Sequence, residues 1–355
     1  MHLVELLSYR AVPAAGVSLG LTRRCPLHCA HCSTRSTMES EQAPAAMFIR
    51  FVESFTPEDH PAVLAISGGE ALLRPHLVRT LAEMARAAGT RTIVLSGMFF
   101  ARSPSIPSPI RDAIRAVDHF SVSLDAFHEH EVPRADVFRA IDDMLADGVD
   151  TSIHIAGMDE DDPYLAQTIG EVRRAFGERV PMMVNVISSF GRARSWLTPM
   201  RKAAPQSPEP APCSIAAWPV IGFDGTIVAC ANDDVLDDVP AHLRLGHASV
   251  DGWPAVRART LGSSTIRAVR LFGPEYLAHL AGQDGQACDG YCRTCMRLSA
   301  EPGMKQRVEE IMAKPSIGML ERQVASWQQR AGAVAFAARH GLPRYAELVA
   351  LGAPA

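Results

Sequence analysis

The chain has 355 residues, 47% of them hydrophobic, with a mean hydropathy of +0.03 and a net charge of −4. That is enough apolar material for a sizeable core, and too little charge of either sign for a disordered chain or for one held on nucleic acid by a basic face. The N-terminus, MHLVELLSYRAVPAAGVSLGL, lacks a basic start followed by a long apolar segment, and no apolar run approaches about 18 residues, so a cytoplasmic protein with no membrane partner is expected.

From residue 17 to about 190, short apolar runs alternate with helical patterns. The runs read as buried strands: GVSLGL (16–21), AVLAIS (62–67), RTIVLS (91–96), HFSVSL (119–124), TSIHIA (151–156) and PMMVNVIS (181–188). Helices are predicted over 76–89, 135–148 and 163–177, each ending on a glycine, and the last beginning on Pro163. Six strands alternating with helices predict an α/β fold with a parallel sheet, whose active loops leave the C-terminal strand ends. TPMRKAAPQSPEPAP (198–212) is a proline-rich linker, and AWPVIGFDGTIVACAND (217–233) reads as a hairpin turning at Asp224–Gly225. The region to residue 300 is rich in loops. The tail, 301–355, is helical by pattern, with breaks at Pro315 and Gly341–Pro343.

Eight cysteines fall into two groups: Cys25, Cys29 and Cys32, then Cys213, Cys230, Cys288, Cys292 and Cys295. With no export signal the compartment is reducing, so the grouping points to two metal centres rather than to disulfides. The first trio is one ligand short of a structural zinc site, although His28 and His31 lie within the loop. Three thiolates in a compact loop suit a [4Fe–4S] cube with one iron open to a small molecule.

Cys-x3-Cys-x2-Cys after the first strand resembles the radical S-adenosylmethionine (SAM) superfamily. The resemblance implies a partial (β/α)6 parallel barrel over residues 15–198, with SAM bound at the open iron. The reduced cluster would cleave SAM to a 5'-deoxyadenosyl radical that abstracts hydrogen from a substrate carbon. A flavodoxin- or ferredoxin-type protein would supply the electron. ISGGEALLRP (66–75) matches the family's Gly-Gly-Glu motif: Gly68 and Gly69 would let backbone approach SAM, and Glu70 would accept from its ammonium group. Ser123 and Asp125 in SVSLDAFHE resemble ribose-contacting positions. Gly157 would admit adenine, Ile187 and the Gly191–Arg192–Ala193 turn resemble the adenine-side motif, and His31 holds the place of an aromatic beside adenine. For each, an ordinary strand end or a satisfied polar residue is the alternative. LSGMFF (95–100) departs from the Thr-Asn-Gly of many relatives, keeping a small turn at Ser96–Gly97 without the asparagine. In DAFHEHE (125–131), His128, Glu129, His130 and Glu131 read as a solvated helix start or as a substrate-facing acid or base.

Cys213 and Cys230 frame a hairpin, and CDGYCRTC (288–295) follows. This resembles the SPASM/twitch auxiliary-cluster domains, and implies a small loop- and hairpin-rich unit over 213–300, after a linker at 199–212 and before the helical tail. One auxiliary [4Fe–4S] cluster on Cys213, Cys230, Cys292 and Cys295 is the twitch-like assignment. Cys288 remains open as an exchanged ligand, a buried bystander or a hydrogen donor to a substrate radical. A structural zinc is the alternative for the whole group. Such relatives imply an oxidoreductase acting on a ribosomally made peptide in natural-product biosynthesis. A small molecule such as an aminocyclitol or sugar, dehydrogenated or epimerised, is the second substrate class, and a non-catalytic iron–sulfur scaffold or redox sensor is the third reading.

Overall fold

A computed structural model describes residues 1–200, 209–280, 290–300 and 302–354. All six expected strands form: β1 (Gly16–Gly20), β2 (Val63–Ser67), β3 (Arg91–Ser96), β4 (His119–Asp125), β5 (Thr151–Gly157) and β6 (Met182–Val186). Each pairs in parallel with the next, from Gly16 opposite Val63 to Gly157 opposite Val186. The six form an open, barrel-like sheet that β6 ends at one side. The right-handed crossover rule places the intervening helices on the outer face.

The helices follow from local signals. Before β1 lies α1 (Leu3–Arg10), capped by the His2 ring, which accepts from the Val4 amide at 3.1 Å. Between β1 and β2 runs α2 (Ala45–Glu53), which buries Phe48, Phe51 and Val52. α3 (Pro75–Ala87) starts on proline and buries Leu77, Val78, Leu81, Ala82 and Ala85, a stripe at the helical period. α4 (Ser108–Ala116), the four-residue α5 (Ala126–Glu129), α6 (Arg134–Ala146) and α7 (Pro163–Phe176) complete the layer. Of these, α3, α6 and α7 lie within two residues of their expected positions.

The second half is α8 (Ala193–Leu197), β7 (Val220–Ile221), β8 (Thr226–Val228), α9 (Asp234–Asp237), β9 (Arg244–His247), α10 (Trp253–Gly262), α11 (Ser264–Phe272), α12 (Pro274–Leu280) and α13 (Tyr291–Arg297). The hairpin β7–β8 forms where expected and continues the same sheet. β7 lies parallel to β1, with Ser18 opposite Val220, and the full order is β6-β5-β4-β3-β2-β1-β7-β8-β9. Gly225 makes the turn with φ +95°, and a Cβ there would stand 2.4 Å from the Met47 sulfur of α2.

The tail comprises α14 (Met304–Met312), α15 (Pro315–His340) and a 3-10 segment over Pro343–Ala350. Its breaks at Pro315 and Gly341–Pro343 match expectation. A third, where Gly332 takes φ +73° inside α15, was not foreseen. Ala333, Ala337, Ala346 and Val349 pack with Leu3, Leu6, Leu7, Met183 and Trp218, so the tail and α1 share one apolar cluster. Leu342 donates to the Val184 carbonyl at 2.9 Å along β6. No helix among the described residues is long and apolar enough to cross a membrane.

Candidate cluster and cofactor site

The cysteine loop leaves the C-terminal end of β1 and folds back over the sheet. Backbone bonds pin it: Cys25 N–H to Thr37, Cys32 N–H to Cys29, and from the next loop Gly69 N–H to Thr22 at 2.7 Å and Glu70 N–H to Arg24 at 2.9 Å. Arg192 clamps it from the other side, donating to the carbonyls of Cys29 and Ser36, while its amide donates to Cys32. Gly191 beside it has φ +54°, and a Cβ would stand 2.2–2.3 Å from the Ser33 and Cys32 carbonyls. The Gly191–Arg192–Ala193 turn therefore holds the cysteine loop.

Cys25, Cys29 and Cys32 line one cavity of about 360 Å³, within the range of small-molecule sites. Burial, followed by the charges of Glu70, Cys29 and Cys32, pushes the Cys25 thiol up to about 12. Burial also opposes the Cys32 thiolate, but hydrogen bonds from Thr34 and Ser36 and the Arg192 charge outweigh it and lower its pKa.

Of the residues expected at SAM, His31, Gly68, Gly69, Ser123 and Ile187 line this cavity. His31 stacks on Phe127, centroids 5.0 Å apart. The glycines at 68 and 69 have a further reason: a Cβ on Gly68 would stand 2.3 Å from the Thr22 carbonyl, and one on Gly69 2.5 Å from those of Arg23 and Arg24. Their first requirement is contact with the cysteine loop.

Three of the expected residues have partners within the protein. Glu70 is 1% exposed and off the cavity wall. One carboxylate oxygen accepts from Leu72 N–H and the other from the Ser96 hydroxyl and Gly97 N–H, all at 3.0 Å. Burial nonetheless pushes its pKa up to about 7. It ties the β2 loop to the β3 loop. Asp125 caps α5 with one oxygen, and with the other meets His128 Nδ1 at 2.6 Å and His31 Nε2 at 3.2 Å. Burial opposes its charge, but these partners outweigh that and hold it well below the usual carboxylate range, so it orients two wall histidines. Gly157 packs against Leu165, whose Cγ would lie 2.8 Å from an added Cβ, and it accepts from Ile187 N–H at 2.9 Å. The space beside it is filled by α7, and it positions Ile187.

Within DAFHEHE, His128 reaches the cavity wall. Burial disfavours its charge, yet Asp125 and Cys29 raise its pKa to about 10. Glu129 holds Arg134 at 2.7 Å and the Tyr164 hydroxyl at 2.6 Å, and Glu131 accepts from His28 N–H, so both acids are structural.

Four cysteines of the second group come together from three elements: Cys213 before β7, Cys230 after β8, and Cys292 and Cys295 one turn apart on α13. Burial raises all four pKa values, that of Cys292 to about 11, and neighbouring cysteine charges add to the rise at Cys230, Cys292 and Cys295. Cys288 lies outside the described residues. Among those described, His31, Asp125 and His128 form the one metal-ligand-type group whose ligand atoms all fall within 4.8 Å, and no three cysteine sulfurs do. A tetrahedral zinc with Zn–S of about 2.3 Å would draw its sulfurs to about 3.8 Å from one another. Among the described residues neither cysteine set is drawn in that closely.

Residues 19–172 match the model of the radical SAM superfamily. This segment carries a radical SAM domain. No curated protein matches the sequence. Among solved structures, SuiB of Streptococcus suis bound to S-adenosylmethionine is 12% identical, over 65% of this chain and 67% of that one, with a TM-score of 0.45. The enzyme anSMEcpe with AdoMet and the Cp18Cys peptide is 13% identical over 88% and 99%, at 0.46. BtrN in complex with AdoMet and 2-DOIA is 12% identical over 72% and 87%, at 0.40. The chain spans about two thirds of the length of SuiB. These likenesses are too loose to argue a substrate.

The cavity has wall residues that the motif reading did not single out as ligand contacts: Ser96 at the end of β3 and Gly97 after it, His154 on β5 and Asn185 on β6. The signal was present in the two-residue period, since 154 and 156 share the inner face of β5, as 123 does on β4. Burial lowers the His154 pKa to about 4, leaving a neutral ring, and Asn185 Oδ1 has no partner.

Proposed function

We propose that this radical SAM enzyme is an oxidoreductase with two iron–sulfur clusters. The gathering of Cys25, Cys29 and Cys32 on one cavity wall with the Gly68–Gly69 backbone supports this reading most directly. These thiolates would hold a [4Fe–4S] cluster, with His31, Ser123 and Ile187 lining the SAM side. Bound there, the reduced cluster supplies the electron that yields a 5'-deoxyadenosyl radical from SAM. The chain's own residues exclude water and hold one substrate C–H against that carbon, since proximity and orientation decide which bond reacts. The net change is a two-electron oxidation. The substrate would lose a hydrogen atom, then a proton and an electron; Cys213, Cys230, Cys292 and Cys295 would hold an auxiliary cluster, which would supply the acceptor for that electron.

A ribosomally made peptide is the first substrate class, on the resemblance of the second cysteine group to SPASM/twitch domains. A polyhydroxylated small molecule is the second, favoured by the polar side chains of His154 and Asn185 among the wall residues. Anaerobic reconstitution with dithionite and SAM tests the enzyme reading. The wild type should release 5'-deoxyadenosine, and Cys29→Ala should not. Release of none by a fully iron-loaded wild type would leave a scaffold or sensor.

A further inference from the structure

The second cysteine group reaches the first through a short run of polar contacts. Beyond β8, the Asn232 amide donates to the Cys230 sulfur at 3.3 Å. The Asn232 side-chain oxygen accepts in turn from the amide of Asp234, the first residue of α9, at 3.1 Å. Asn232 and Asp234 are both buried. The Cys230 sulfur thereby fixes where α9 begins.

The Asp234 carboxylate faces the other site. Its Oδ1 accepts from Gly191 N–H at 3.4 Å, and its Oδ2 pairs with Arg194. Gly191 and Arg192 form the turn that grips the cysteine loop at the carbonyls of Cys29, Cys32 and Ser36. Asp237, three residues on and on the same helix face, meets that loop directly. It pairs with Arg23, just before Cys25, at 3.3 Å and with Arg35, just after Cys32. Arg35 has φ +53°, a left-handed backbone that a side chain resists, and its amide donates to the Cys32 carbonyl at 3.4 Å. One four-residue helix therefore holds both ends of the loop and the clamp on its middle.

A buried carboxylate stays with its partners, because parting from them strands a charge away from water. Whatever fixes Cys230 then fixes Asp234 and, through it, the loop. A cluster on the second cysteine group would tether the Cys230 sulfur covalently. SAM binding requires the first loop in one geometry, and a loop already restrained loses less entropy when SAM binds.

We propose that Asp234 and Asp237 are positioning residues of the SAM-cluster loop, through which a bound auxiliary cluster strengthens SAM binding. The proposal rests on the auxiliary-cluster reading above. Linkage makes the effect reciprocal, so SAM also strengthens the hold on the auxiliary cluster.

The test is a double-mutant cycle on the full chain, purified without oxygen, with iron counted and SAM binding measured by equilibrium dialysis. One arm is Cys292→Ala/Cys295→Ala, which removes the auxiliary cluster and leaves the contacts from Cys230 to α9 in place. The other is Asp234→Asn/Asp237→Asn. The proposal expects the cysteine change to remove one cluster's iron and to weaken SAM binding at least about fivefold. In the asparagine background the same cysteine change should make no further difference. An equal loss in both backgrounds, or lost iron with unchanged SAM affinity, overturns the proposal and leaves the auxiliary cluster standing. Unchanged iron in Cys292→Ala/Cys295→Ala overturns both together. Should the asparagine pair fail to hold the N-terminal iron, Asp237→Asn alone, which keeps the Gly191–Arg192 clamp, takes its place. The cysteine change must then weaken SAM binding less than it does in the wild type, and an equal weakening overturns the proposal.

Discussion

Glu70 shows how a motif residue is spent within the protein. Its carboxylate joins two loops, and burial raises its pKa from 4.5 to about 7. A raised acid contributes stability that is fully present below its unfolded pKa and is lost as pH rises through the folded value. In the cluster-free protein this group should therefore lower stability between about pH 4.5 and 7, by up to about 3 kcal/mol at 1.36 kcal/mol per unit. Glu70→Gln, unable to ionise, should lack that slope, as urea denaturation at pH 5 and pH 8 would show. An equal slope in both proteins would place the ionisation elsewhere. Glu70 and Asp125 were recognisable in the sequence as motif acids, but their neighbours were not. Only the fold reveals that Ser96, Gly97, His31 and His128 surround them, because those contacts join separate strand ends.

Loops and helices repeat that division. The strands β1 to β6 and helices α3, α6 and α7 were legible because buried strands form unbroken apolar runs and outer helices carry a stripe with a proline start or glycine stop. The short α1 and the proline-flanked α4 escaped notice, since neither has a long periodic pattern. Gly191 was read for adenine, yet its space is taken by the cysteine loop, a contact between segments about 160 residues apart that periodicity cannot encode. Gly191→Ala should cost at least about 1–2 kcal/mol for its left-handed backbone alone, and should push the cysteine loop outward. The expected result is loss of most N-terminal iron with an intact far-UV circular dichroism spectrum. Full iron loading would show that the clamp is dispensable. At the hairpin, Gly225→Val should be destabilising through both its positive φ and the Met47 sulfur, visible as a lower Tm.

Across the whole molecule, one sheet carries both cysteine groups, because β7 pairs with β1 and brings the hairpin of Cys230 alongside the first strand of the barrel. Arg23 and Asp237 tie the cysteine loop to α9 at 3.3 Å, adding a second link. The tail completes the arrangement, with Val349 fully buried against α1. Val349→Asp would bury an unpaired charge at a cost of several kcal/mol, and should lower Tm and speed proteolysis of the segment after Gly332. Electron acceptance belongs to this scale too: Cys213→Ala or Cys230→Ala should spare SAM cleavage while abolishing the oxidised product, and normal product yield would remove that role. The most direct measurement is made on the Cys213→Ala/Cys230→Ala protein, purified without oxygen and reduced, with metal content and EPR recorded before and after SAM. The account expects iron in the N-terminal loop and a cluster signal that SAM shifts by binding the open iron. Zinc in that loop, or an iron signal indifferent to SAM, would contradict it.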